Sequence, residues 1–348
     1  MKKYLLIAVM LLMLIPQNAF AAPVDIKGSG TPEEPYIIYT ANGLDQVRND
    51  LSATYKLGAD IDLSGYSNWA PIGNDSAQFS GIFDGSNYKI GNLTINYIEA
   101  GLDYGLFGNV GLNGQIKNTH LENVNIKGDY YVGALAGINS GTITNSSVTG
   151  SVTGNEAVGG LVGSNRGKIA TSSSTATVSS TVGSAGGIAG ENDGEISNTY
   201  STGSTAAVIR SGGFVAYNVG TITNCYSTGT VVGEFTGGLV NGNFGTVTNS
   251  YYSESTGQTD TGKGTLLTDT QMRQRALFVG WDFTNIWSIE DGVSYPTLVF
   301  LTSANVIDLV IGLNKLNNNV FIISNRAVEN YDLSQALPLG YETLAGMQ

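Results

Sequence analysis

The chain has 348 residues, 28 of them acidic and 16 basic, for a net charge of −12, with a single cysteine, Cys225, and a single histidine, His120. An acidic surface excludes the electrostatic footprint of a nucleic-acid binder, and a lone cysteine excludes any disulfide within the chain. Charged residues make up only 13% while glycine reaches 47 residues, so the fold must rest on packing and backbone hydrogen bonds.

Lys2 and Lys3 precede an apolar run from Tyr4 to Ile15, and Ala19-Phe20-Ala21 places small residues at both recognition positions of a signal peptidase. This pattern predicts a secretory signal peptide over residues 1–21, cleaved after Ala21. The run is short for a bilayer span, and no cysteine stands nearby to carry a lipid anchor. Its removal takes two of the 16 basic residues and none of the 28 acidic ones, leaving a net charge near −14. The expectation is an exported chain, secreted or held at the cell surface, with no transmembrane segment. No sortase-like motif is present, so retention there would be non-covalent.

Residues 22–65 read as an N-terminal cap. Leu44, Val47 and Leu51 lie at helical spacing behind a Thr40 cap, flanked by strands at Tyr36-Ile37-Ile38 and Asp60-Ile61-Asp62-Leu63.

From 66 to 255 the chain repeats itself. Gly159-Gly160-Leu161-Val162-Gly163 recurs as Gly186-Gly187-Ile188-Ala189-Gly190, Gly212-Gly213-Phe214-Val215-Ala216 and Gly237-Gly238-Leu239-Val240-Asn241. An apolar-x-Asn step follows each unit, with its apolar member at Ile90, Ile116, Ile143, Ile169, Ile196, Ile222 and Val247, at intervals of 26, 27, 26, 27, 26 and 25 residues. Apolar stretches of three to five residues between Gly and Asn are too short for helices and read as strands. One unit cannot bury its apolar side alone, but stacked units place each Ile over the last. The fold class expected is therefore all-β, a right-handed parallel β-helix of about seven coils, with parallel strands about 4.8 Å apart and a rod of roughly 30 Å. The Asn column at 92, 118, 145, 198, 224 and 249 suits left-handed corners and stacked amides, with Thr171 as its weak member. The paired glycines allow positive φ and close backbone approach.

Residues 256–300 read as a C-terminal cap. Thr268 and Gln271 form a capping-box pattern before Met272, Ala276 and Leu277, and Trp281, Phe283, Trp287 and Ile289 are large enough to seal an apolar end. In the tail, 301–348, Val306, Leu309, Val310 and Leu313 are spaced for one amphipathic helix, but the tail carries no repeat and stays unassigned.

The Gly-Gly-Leu-Val-Gly core, the Asn-x-Gly-x-Ile-x-Asn continuation and the Tyr200-Ser201-Thr202-Gly203 and Tyr226-Ser227-Thr228-Gly229 segments resemble GLUG-motif repeats. Phe79–Gly85 and Asp60–Leu63 resemble the usual entry into such arrays, and Gly280-Trp281-Asp282-Phe283 the usual exit, so the resemblance covers residues 29–300. It implies a β-solenoid displayed outside the cell, as in adhesin-like chains and the non-catalytic regions of some immunoglobulin A proteases, without a defined activity.

Candidate chemistry is sparse. A zinc protease needs two histidines one helical turn apart with a Glu between them, and His120-Leu121-Glu122-Asn123 does not fit. A Ser-His-Asp set would have to use the same His120, which occupies the register of Ser147, Ser173, Tyr200, Tyr226 and Tyr251. Cys225 matches the small-residue slot of Ser146, Ser172, Thr199 and Ser250. Asp129, Glu156 and Glu234 precede Gly-containing strands in separate coils, and Asp193 and Glu195 sit in a turn, so solvated charge explains them. Tyr200, Tyr226 and Tyr251 recur once per coil and form either a ligand-binding strip for sugar rings or a partner protein, or an internal stack. The reading is a non-enzymatic secreted or surface module for adhesion or ligand display, with no metal or cofactor and a glycan or a host or neighbouring surface protein as partner. The alternative is a carbohydrate-binding or carbohydrate-active β-helix, which a carboxylate-lined groove on one face would favour.

Overall fold

The computed structural model describes residues 25–96, 103–259, 263–299, 310–314 and 319–323. The signal-peptide expectation falls outside the described residues. Residues 1–296 and 297–348 form separate units.

In the first unit, one coil shows the plan. Ala157–Gly159 is followed by Val162–Asn165, then Lys168–Ala170, then Ser173–Ser174 with Thr177–Ser180, and the chain re-enters the first face at Ser184–Gly186. Each face is a sheet whose neighbours come from successive coils, and within the repeat every pairing is parallel. The molecule is a parallel β-solenoid. The front strand Ile26–Lys27 pairs antiparallel with Tyr36–Ile38.

The stacked isoleucines are where the period puts them. Ile116, Ile143, Ile169, Ile196 and Ile222 are fully buried and pair in register, each over the last, ending at Val247. Burying a side chain of this size contributes about 1.5–3 kcal/mol. Ile90 is the exception. It pairs with Ile61 and Leu121 on another face, while Phe83 lies under Ile116. Its 26-residue spacing from Ile116 does not reflect register, because the front coils carry long irregular connections that absorb the count.

Corners and arches follow different steric rules. Asn118, Asn145, Thr171, Asn198, Asn224 and Asn249 all take φ between 45° and 54°, the left-handed region Asn tolerates. Their amides bond along the rod, as in Asn145 Nδ2 to Asn118 Oδ1 and Asn224 Nδ2 to Asn198 Oδ1, both 3.3 Å. The paired glycines take no positive φ, contrary to expectation. Their requirement is space: a Cβ on Gly159 would collide with the Val162 carbonyl, and one on Gly163 would sit 2.5 Å from the Val132 amide nitrogen. The arch they form brings two sheets back to back with no room for a side chain.

A second Asn ladder is buried. Asn139, Asn165, Asn192 and Asn218 each donate Nδ2 to Oδ1 of the Asn in the next coil, at 2.7–2.8 Å, ending at Asn243. Val110 occupies the preceding step, so the Asn139 Oδ1 receives no donor. Buried amides are tolerated only when paired, and here the pairing needs coils in register.

At the front, Ala41–Asp45 is one short helix, α1, capped by Thr40 Oγ1, which accepts from the Gly43 amide at 3.0 Å. A 3₁₀ turn over Gln46–Asn49 follows, and Leu44 and Val47 are buried. At the back, Thr268 and Gln271 form the reciprocal capping box, with bonds of 2.9 and 3.2 Å. The segment is two 3₁₀ turns rather than a helix, and it buries Met272 but leaves Ala276 exposed. In the second unit Val310–Asn314 pairs antiparallel with Asn319–Ile323. Val310 and Leu313 therefore lie in a strand and not in the amphipathic helix their spacing offered, as the β-branched and aromatic run Val320-Phe321-Ile322-Ile323 favours. Val306 and Leu309 are outside the described residues.

Thr171 holds φ 45°, costly for a β-branched residue, and its hydroxyl bonds to Asn145 Oδ1 in place of an amide. Thr171→Asn is expected to stabilise the protein by about 1 kcal/mol. The readout is a higher urea midpoint at unchanged slope; a lower midpoint would show that the corner carries no strain.

Candidate functional site

The tyrosine strip lies in register, Ser173 over Tyr200 over Tyr226 over Tyr251. Its side chains point off the rod and are covered by the cap that folds back along the side. Tyr200 and Tyr226 stack with ring centroids 5.1 Å apart at 6°. Trp281 and Trp287 stack on each other at 4.2 Å and lie 6.0–6.2 Å from the Tyr226 ring. Phe278 meets Tyr251 edge-on, and the Tyr226 hydroxyl donates to the Pro296 carbonyl at 2.6 Å. Tyr200, Tyr226 and Tyr251 are left 8%, 1% and 7% exposed. Burial pushes the Tyr200 and Tyr226 hydroxyls up, Tyr226 strongly. Trp281 and Trp287 thus cover a lateral face.

His120 pairs with Ser147 in the same column. Its Nδ1 is 2.8 Å from Ser147 Oγ and its Nε2 3.4 Å from Asn87 Oδ1, and burial holds its pKa below the usual histidine range. Cys225 fills the slot of Ser146, Ser172, Thr199 and Ser250. Each of these side chains bonds to the carbonyl two residues back, Cys225 Sγ at 3.2 Å and the hydroxyls at 2.8 Å. Burial pushes the thiol up to about 12.

The acidic residues singled out by sequence do not converge. Asp129 accepts from Asn155 Nδ2 at 2.6 Å, Glu195 pairs with Lys168 at 3.2 Å, and Glu234 is exposed. A different set does. Asp75, Asp103, Tyr130, Tyr131, Ile138 and Arg166 line a cavity of about 380 Å³ on the side of the rod. Asn109, Ile138, Ser164 and Glu191 stand in register along one sheet. Arg166 follows the strand Val162–Asn165, Tyr131 begins the strand Tyr131–Gly133, and Asp75 sits in a turn closed by the Asn74–Ala77 bridge.

The electrostatics of this cavity are coupled. Burial and the neighbouring Asp75 charge push the Asp103 carboxyl up to about 6, against the pull of Arg166. Burial first, then Asp193, raises Glu191, while Arg166 and a hydrogen bond from Tyr131 lower it. The Arg166 guanidinium lies 5.7 Å from the Tyr131 ring centre, and Tyr130 meets Tyr131 edge-on at 4.6 Å. Asn109 Nδ2 donates to Asp75 Oδ1 at 2.8 Å, but Asn109 Oδ1 is buried without a hydrogen-bond partner.

Among the described residues, no three His, Cys, Asp or Glu side chains group as metal ligands, and no helix is long and apolar enough to cross a membrane. The sequence signal for the cavity was slight. Arg166 is the one basic residue in the column Ser140, Arg166, Asp193, Val219 and Phe244, and Asp75 and Asp103 lie outside the repeat.

Residues 35–150 match the model of the M26 IgA1-specific metallo-endopeptidase N-terminal region, and residues 154–179 and 207–232 match the GLUG motif. Over 136 residues the chain is 41% identical to a provisionally named Gly-rich membrane protein of Evansella cellulosilytica, covering 35% of this chain and 15% of that one. Over 133 residues it is 38% identical to halomucin of Haloquadratum walsbyi, covering 34% of this chain and 1% of that one. The chain thus spans a small part of the curated relatives it matches. A solved structure from Bacteroides ovatus, provisionally named an immunoglobulin A1 protease, superposes with a TM-score of 0.65 at 26% identity, over 79% of this chain and 95% of that one.

Two outcomes are expected. A thiol reagent should leave Cys225 unmodified in the folded protein and label it after denaturation, read by mass spectrometry; rapid native labelling would contradict the burial. An unfolded Asp103 titrates near 3.8 and the folded one near 6, so its favourable contribution is full below the lower value and lost as pH rises through the upper. Asp103→Asn should therefore gain on wild type between about pH 4 and about pH 7, by ~1 kcal/mol at neutrality, a figure reduced because the group keeps water contact. Parallel thermal melts across that range test this, and equal pH slopes would refute it.

Proposed function

We infer that the chain, a GLUG-motif repeat protein, works as a non-enzymatic module at or outside the cell surface, where a β-solenoid presents its side to a ligand. The observation that carries this reading is the unbroken inter-coil register. Ile116 and Ile143, in the part that matches the peptidase N-terminal region, stand in one in-register column with Ile169 and Ile222 of the GLUG repeats, Ile143 directly against Ile169. One continuous scaffold therefore carries both matches. Its regular inner columns supply stability, while its outer positions change from coil to coil and are free to bind.

Several facts support display over catalysis. The chain holds one histidine, so it cannot by itself supply the histidine pair of a zinc protease. The relative named as a Gly-rich membrane protein favours a place at a membrane. The tyrosines Tyr200, Tyr226 and Tyr251 serve this function indirectly, as the seat of the C-terminal cap. A carbohydrate-binding role is the second reading, and the cavity beside Arg166 is the observation that favours it.

Fluorescently labelled full chain should bind saturably to a panel of bacterial and epithelial cells. Incubated with the same cells, with extracted polysaccharides and with immunoglobulin A1, it should release no reducing ends and no peptide fragments. Product formation, or binding no greater than that of an unrelated acidic protein, would overturn the reading.

A further inference from the structure

We propose that the cavity between Asp75, Asp103, Tyr130 and Arg166 is a binding site for one neutral sugar ring of a glycan; this rests on the reading of the solenoid as a ligand-presenting module. Three features of the site select the ligand. Asp75 and Asp103 present acceptor oxygens in the lining, Asp75 also accepting from the Asn109 amide at 2.8 Å, so the ligand must donate. Arg166 supplies donors in the same lining, so the ligand must accept as well as donate. Tyr130, 47% exposed and edge-on to Tyr131, provides an aromatic wall at the mouth.

Other ligand classes fail one of these conditions. An anion meets Asp75, Asp103, Glu191 and Asp193 against the single charge of Arg166. A cationic amine donates but cannot accept, so it leaves the Arg166 donors unanswered. A divalent cation needs six or more oxygen ligands, and no group of three carboxylates, histidines or cysteines assembles among the described residues. An apolar ligand would leave the Asp75 and Asp103 oxygens and the Arg166 donors without partners. A sugar hydroxyl both donates and accepts, and the C–H face of a pyranose ring packs on an aromatic side chain. A cavity of about 380 Å³ lies at the small end of ligand sites, the scale of one or two sugar rings.

The site spans the two matched regions. Asp75, Asp103 and Tyr130 lie within residues 35–150, and Arg166 lies within 154–179. Neither region builds it alone.

The test uses the full chain titrated with the methyl glycosides of glucose, galactose and mannose, N-acetylglucosamine, N-acetylgalactosamine and, as an anionic comparator, N-acetylneuraminic acid. Saturation-transfer NMR detects binding and calorimetry measures it. At least one neutral sugar should bind, and Tyr130→Ala and Asp75→Asn, both at exposed positions, should each weaken it by about ten-fold or more with the melting temperature unchanged. Arg166→Gln, also exposed, should do the same and serves if either variant loses stability. No binding of any neutral sugar, preference for the anionic one, or neutral-sugar binding untouched by the variants overturns the proposal. Cell binding measured on the same samples separates the two readings. Retained cell binding without sugar binding removes the sugar site alone; sugar binding without cell binding removes the surface role alone.

Discussion

Parallel register between successive coils is the constraint on which the remaining structure depends. Side chains alternate faces along a strand, so a slip of one residue would turn Ile143, Ile169 and Ile196 out to water and bring their polar neighbours in. Two chemically different columns oppose such a slip. The isoleucines resist it because several kcal/mol of burial would be lost at every coil. The buried amides from Asn139 to Asn218 resist it because each donor meets its acceptor only when coils stand directly over one another. The apolar column supplies most of the energy, and the amide column supplies specificity, since an unpaired buried amide is costly while a displaced methyl group can repack.

Whatever obeyed the period could be read from sequence. The isoleucine stack from Ile116 to Ile222, the left-handed corners at Asn118 through Asn249, the column shared by His120 and Tyr226, and the small-residue slot of Cys225 all follow from a 25- to 27-residue spacing. What escaped was of three kinds. Ile90 shared the spacing by coincidence in the irregular front coils. Asn139 and its partners were visible as the first Asn of Asn-x-Gly-x-Ile-x-Asn, but the motif does not say which Asn is buried. The paired glycines suited both a positive φ and a close backbone approach, and the arch uses only the second, a distinction that only the distance between sheets reveals.

The tyrosine strip shows why periodicity alone cannot assign function. A column of aromatics on the outside of a solenoid is the same pattern whether a ligand or the chain's own terminus covers it. Here Phe278, Trp281 and Trp287 cover it, and the cap is held laterally by ring stacking and by the bond from Tyr226 to Pro296. Trp281 Nε1 also donates to the Asn249 carbonyl at 2.9 Å, tying the cap to the last corner of the column. The cap therefore uses the repeat's regular outer surface as its foundation.

The cavity has the opposite origin. Its residues break the repeat: Asp75 and Asp103 come from front connections, and Arg166 stands where other coils carry Ser140, Asp193, Val219 or Phe244. A solenoid can absorb such departures because its stability is a sum over inner columns that the outer residues do not enter. Polar groups that would be costly in a small globular core, such as the half-buried Asp103 carboxyl or the unpartnered Asn109 Oδ1, can then persist on one side of a rod held together elsewhere. Ladders of identical residues hold this fold together, and the positions where a ladder is interrupted are where binding chemistry can be placed without loss of the fold.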